Sequence, residues 1–222
     1  MTLQPLSLTH LVQEPTQTSP AKPPLLLLLH GVGSNEQDLF ALASYADPRF
    51  FVVSARAPLV LGPNAYGWYR VQFTDHGPRH DPAEAEAGRA AAAAFIQEAV
   101  AAYGLDGQNV YLAGFSQGAI TGLSIALTAP ETIAGAVIMS GRLLPEAQAA
   151  MASPEQLRGL PLFVAHGTRD AVLPIAFGRE INQVLSALPL DLTYKEYDMA
   201  HQVSAASLGD ISAWLSRRLD DA

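Results

Sequence analysis

Five consecutive leucines, Leu25 to Leu29, stand between a proline-rich stretch and a glycine-rich one. A short apolar run with no polar position is the pattern of a strand buried on both faces. Phe50 to Ser54, Asn109 to Phe115, Gly135 to Met139, Leu162 to Ala165 and Leu190 to Tyr197 read as further strands. Between them lie helical stretches. A short helix starts near Asn35 to Asp38. Ala83 to Tyr103 is rich in Ala and Glu, carries an apolar stripe of Phe95, Ile96 and Val100, and meets a stop signal at Gly104. Gln117 to Ala129, Ile175 to Leu188 and Ser207 to Leu219 complete the set. Strands that alternate with helices predict a mostly parallel central sheet with helices on both faces, an α/β architecture. Residues 3–12 form an edge strand or hairpin in this reading, and Pro15, Pro20, Pro23 and Pro24 punctuate a loop after it. Residues 55–82, with many Pro, Gly and His, are expected to form a long loop over a functional face. No repeat or linker divides the chain, so one domain over residues 1–222 is expected.

Composition narrows the function classes. Hydrophobic residues make up 49% and charged residues 15%, a globular balance. A net charge of -8 argues against a basic surface for nucleic acid or an anionic membrane. It gives no general help to polyanionic substrates either, unless arginines cluster locally. The chain has no cysteine, which removes disulfides, thiolate metal sites and a thiol nucleophile. The N-terminus lacks the charged and apolar regions of a signal peptide, and the leucine run is far too short to span a bilayer. A cytoplasmic protein with no stable membrane insertion is the expectation.

The strongest chemical signal is Gly114-Phe115-Ser116-Gln117-Gly118. Alone the pattern is common. Here NVYLA leads into it as a strand and AITGLSIALTA leaves it as a helix, which places Ser116 on a sharp turn with its hydroxyl presented. The helix N-terminus behind it favours negative charge. The competing reading is a glycine-rich turn with a capping serine. Ser140 also follows a buried strand, but it lacks a glycine two residues before it and a clear helix after it.

A serine nucleophile needs a base, and the base needs an orienting acid. In this arrangement they come in the chain order Ser, Asp or Glu, His. HGTRD brings Asp170 after the strand LFVA, and DMAH brings His201 after the strand LTYKEY. Catalytic groups gather at the carboxyl ends of parallel strands, so both loops can reach Ser116. Asp198, on the same loop as His201, is the reserve acid. An oxyanion needs two donors. The Gln117 N–H is one; Val32, between Gly31 and Gly33, supplies the other. His30 and His166 are read as histidines hydrogen-bonded inside their own loops. Asp75, His76, His80 and Asp81 are metal-capable, but Gly77-Pro78 prevents a helix that would align them, so a solvated loop and no metal are expected. The aromatics around Trp68 either line an acyl pocket or pin their loop to the core.

With these pieces in hand, the chain resembles the phospholipase/carboxylesterase family of the α/β-hydrolase fold, which includes acyl-protein thioesterases. LHGVGSNEQDL, GWYR, GFSQGA, MSGRLLP, HGTRDAVLP and MAHQVS carry the resemblance, from about residue 25 to 201. It implies a serine carboxylesterase with a Ser116–His201–Asp170 triad, Val32 and Gln117 as oxyanion donors, and substrate contacts from Trp68 and Leu143. No cofactor is expected, and the expected partner is a small-molecule ester, with a homodimer left open. GVGSNEQD and residues 66–82 depart from the family pattern, which bears on substrate identity rather than on the reaction. The segment between Ser140 and Pro161 is too short for a large cap domain, so the expected cleft is open, takes small to medium acyl groups and shows no interfacial activation. An acyl thioesterase or lysophospholipase on the same triad is the alternative, and a catalytically silent binding protein is the alternative of another class.

Overall fold

A computed structural model describes residues 3–17, 21–74 and 77–221. Its centre is a seven-stranded sheet. The strands, in chain order, are β1 (His10–Gln13), β2 (Pro24–Leu29), β3 (Phe51–Ala55), β8 (Asp106–Phe115), β9 (Gly135–Met139), β10 (Pro161–Gly167) and β11 (Asp191–Tyr197). Their spatial order is β1-β3-β2-β8-β9-β10-β11. Only β1, at the edge, runs antiparallel to its neighbour; the other pairs are parallel.

The leucine run explains the layering. Side chains along a strand alternate between faces. Leu25, Leu27 and Leu29 pack on one side with Phe95 and Ile96 of α2 (Pro82–Tyr103), Ile120 and Leu123 of α3 (Gln117–Thr128), and Ile181 of α6 (Ile175–Leu185). Leu26 and Leu28 pack on the other with Leu39 of α1 (Glu36–Phe40) and Ile211, Trp214 and Leu215 of α7 (Ala205–Asp220). Both faces are therefore dry, as the absence of polar positions in β2 requires. Helix α3 lies deepest, with every residue from Gln117 to Leu127 buried, which suits a helix that is apolar nearly all round. Helix α2 ends at Gly104, whose φ of 66° is left-handed.

Residues 55–82 differ from the expected long loop. They fold into two hairpins, β4 (Leu59–Gly62) with β5 (Ala65–Gly67) and β6 (Val71–Thr74) with β7 (Gly77–His80). The turn residue Asn64, at φ 52°, accepts the left-handed backbone that a tight hairpin needs. Pro20, Asp75 and His76 lie outside the described residues. Between Ser140 and Pro161 stand two short helices, α4 (Pro145–Ala149) and α5 (Pro154–Leu157), and no large cap. This is the α/β-hydrolase arrangement. Among the described residues no helix is long and apolar enough to cross a membrane.

Candidate active site

Ser116 joins β8 to α3 with φ 53° and ψ -117°, a backbone conformation that non-glycine residues rarely adopt. The surroundings hold it there. Its N–H donates to the Met139 carbonyl at 2.9 Å, and its carbonyl accepts from the Ile120 N–H at 3.0 Å. The flanking glycines are needed for space: a Cβ on Gly118 would sit 1.9 Å from the Leu29 carbonyl oxygen, and one on Gly114 would sit 2.4 Å from the Gly118 carbonyl oxygen. The turn can close against β2 only without those side chains.

The loop after β11 delivers His201, whose Nε2 stands 3.0 Å from Ser116 Oγ. The loop after β10 delivers Asp170, whose Oδ2 stands 2.6 Å from His201 Nδ1. The other oxygen of Asp170 accepts N–H bonds from Val172 at 2.9 Å and Leu173 at 2.8 Å. This carboxylate is fully buried and fixed from both sides. With Nδ1–H donated to Asp170, the Nε2 lone pair faces the serine hydroxyl. Asp198 does not join the set; its carboxylate is 81% exposed and pairs with Arg169 Nε at 2.7 Å.

His30 and His166 are framework groups. Ala57 N–H donates to His30 Nε2 at 3.0 Å, so the proton sits on Nδ1, which donates to the Gly31 carbonyl at 2.7 Å. Burial pulls the His30 pKa below the usual histidine range. His166 Nε2 donates to the Leu173 carbonyl at 2.8 Å, bracing the Asp170 turn, and burial lowers its pKa too. The Gly31–Gly33 loop is also tied to β5, with Gly33 N–H to the Tyr66 carbonyl and Tyr66 N–H to the Ser34 carbonyl, both 2.8 Å. Val32 and Gln117 both border the cleft at Ser116. Among the described residues neither backbone N–H is engaged by the protein. The Gln117 side chain spans to the next segment, accepting from Trp68 N–H at 2.8 Å and donating to the Tyr69 carbonyl at 2.7 Å.

The cleft beside Ser116 measures about 290 Å³, open mouth included. Val71, Phe73 and Pro78 of the second hairpin form one wall; Ile120, Leu173, Tyr69 and Arg142 complete it. Trp68 and Leu143 do not line it. Trp68 is 2% exposed, donates its indole N–H to the His30 carbonyl at 3.0 Å, and backs onto Gly88 of α2, where a Cβ would lie 2.2 Å from the Trp68 carbonyl oxygen. It pins its segment to the core. Leu143 is buried in the core cluster with Leu144. The wall positions on those two segments fall to their neighbours Tyr69 and Arg142. Both neighbours stand inside motifs already noted, Tyr69 in GWYR and Arg142 in MSGRLLP, but nothing in those motifs says which of their side chains faces the cleft. A larger cavity, among Pro15, Lys22, Arg49 and Asp106, lies at the opposite end of β8 and holds none of these residues. Among the described residues, no three or more His, Asp or Glu are grouped to hold a metal ion.

Residues 11–219 match the model of a family described as phospholipase/carboxylesterase. An acyl-protein thioesterase 1 of Kluyveromyces lactis is 28% identical over 94% of this chain and 97% of its own length. A rice protein (Oryza sativa subsp. japonica) named a probable inactive carboxylesterase is 26% identical over 93% of this chain and 89% of its own. The crystal structure of a Bacillus cereus carboxylesterase superposes with a TM-score of 0.80 at 26% identity, covering 96% of this chain and 95% of that one.

Proposed function

The chain belongs to the phospholipase/carboxylesterase family, and on that premise we propose that it is a serine carboxylesterase acting on small to medium acyl esters. His201 takes the Ser116 proton as Oγ attacks the ester carbonyl. The Val32 and Gln117 N–H groups receive the oxyanion. His201 then returns the proton to the departing alcohol, leaving an acyl-serine. Water, deprotonated by the same imidazole, attacks the acyl group and releases the acid and the free serine. Asp170 holds the imidazole's tautomer and stabilises its cation without taking the proton.

The observation that carries this reading is the unbroken chain from Asp170 Oδ2 through His201 to Ser116 Oγ, at 2.6 and 3.0 Å. Family membership supports hydrolysis of esters or thioesters. The small cleft and the lack of a large cap favour short acyl groups over long ones; they act on the acyl side, so the choice between oxygen ester and thioester is left to rate comparison. Rates on 4-nitrophenyl esters of increasing chain length, set beside a matched thioester series, test this. Faster turnover of short oxygen esters is expected, with no jump at the micellar concentration. A preference for long thioesters would assign the chain to the thioesterases instead. A silent fold, the reading suggested by the name of the rice relative, would give no turnover in either series.

A further inference from the structure

Arg142 is the one charged side chain among those lining the cleft at Ser116. It is only 9% exposed. A buried guanidinium ordinarily pairs with a carboxylate. Here it does not: its Nη2 donates instead to His80 Nδ1 at 3.0 Å. Arginine can only donate, so His80 must accept at Nδ1 and carry its proton on Nε2, which meets Glu146 Oε1 at 2.5 Å. The nearest counter-charge to Arg142 is thus held one imidazole away, on α4. Beside it, burial pushes the Tyr69 phenol pKa up while the Arg142 charge pulls it down, the net direction being up. The phenol stays neutral and does not serve as counter-anion. What remains is a largely buried cation that touches His80 and the Tyr69 hydroxyl, has more N–H groups than these two contacts use, and shares the cleft with Val71, Phe73, Ile120 and the serine.

Resting on the hydrolase reading above, we infer that Arg142 selects esters that carry a carboxylate, receiving that group on its free guanidinium edge while the ester carbonyl lies at Ser116. The planar guanidinium matches a carboxylate through paired N–H bonds. In a chain with net charge -8, a single largely buried arginine supplies the local attraction that the overall charge withholds. His80 and Glu146 act as positioning residues, since they fix where the guanidinium edge points.

The test compares mono-4-nitrophenyl glutarate with 4-nitrophenyl 5-methylhexanoate, in which two methyl groups replace the carboxylate oxygens. Spontaneous hydrolysis is subtracted. The wild type is expected to favour the glutarate in kcat/KM. In Arg142→Met the glutarate-to-methylhexanoate ratio should fall by about tenfold or more, the loss of one charge-assisted contact. Arg142→Lys should retain part of the ratio, and added salt should lower it in the wild type. Being a ratio, it does not follow a general loss of folding or of catalysis. Serine labelling by a fluorophosphonate checks each variant. Labelled enzyme whose ratio is unchanged by Arg142→Met overturns this inference and leaves the hydrolase reading intact. A wild type that neither labels nor turns over either ester overturns both.

Discussion

Two serines end neighbouring strands of one sheet with nearly the same positive φ, Ser116 with φ 53° after β8 and Ser140 with φ 52° after β9. Each donates its N–H to the adjacent strand, to the Met139 carbonyl at 2.9 Å and the Ala165 carbonyl at 2.8 Å. Their hydroxyls fare differently. Ser116 Oγ meets His201 Nε2 at the floor of the cleft. Ser140 is fully buried and its Oγ has no partner. A strained turn at a strand end therefore does not by itself bring a hydroxyl to a base. Helix α3, which starts directly after Ser116 and brings unpaired N–H groups to the reacting face, makes one of the two differences. A base on the neighbouring loop makes the other. After Ser140 the chain runs through Gly141 to Leu144 before a five-residue helix begins, and no imidazole is hydrogen-bonded to its Oγ.

That contrast can be broken by substitution, and the largest effect belongs to the favoured serine. Ser116→Ala should lower kcat on 4-nitrophenyl esters by about 10⁴-fold or more while far-UV dichroism stays unchanged. Retained turnover would mean that another group attacks. Asp170→Asn comes next. An amide in place of the carboxylate favours the wrong imidazole tautomer, and kcat should fall by about 10⁴-fold, read from the same assay with KM little altered.

A smaller effect probes the dry frame that both serines share. His30 supports the Val32 loop and His166 the Asp170 turn, and burial holds both pKa values below the 6.5 of a free imidazole. Below about pH 6.5 the unfolded chain binds more protons than the fold does, so stability present above that pH declines as pH falls toward the folded values. Urea unfolding should give a lower free energy at about pH 5.5 than at about pH 8. Equal values would mean that the two imidazoles are not buried neutral. The smallest effect sharpens the comparison from the other side. Ser140→Ala removes a hydroxyl that has no partner, so activity should stay within about twofold and stability should hold or rise slightly. A large loss of kcat there would give Ser140 a role that its burial denies.

The sheet and its helices were legible because burial on both faces writes itself as unbroken apolar runs, Leu25 to Leu29 above all. The juxtaposition of Ser116, Asp170 and His201 was legible because each follows such a run, and parallel strands bring their carboxyl ends together. The hairpins over residues 59–80 were not. Their strands are three or four residues long, half exposed, and interrupted by Gly and Pro, so neither period emerges. Trp68 misled as a substrate contact because an aromatic beside glycines reads alike whether it lines a pocket or fills the core. Its pairing with Gly88, twenty residues on in an alanine-rich helix, decides the matter only in three dimensions. Arg142 and Glu146 stand four residues apart, but Pro145 breaks any helical spacing between them, and His80 comes from the second hairpin, about sixty residues earlier.

The most direct measurement is the site of covalent capture. The protein is treated with a fluorophosphonate, digested, and the modified peptide identified by mass. The account predicts one equivalent of label, on Ser116, and none on Asp170→Asn within the time that saturates the wild type. Label on Ser140, or a chain that takes none, would contradict it.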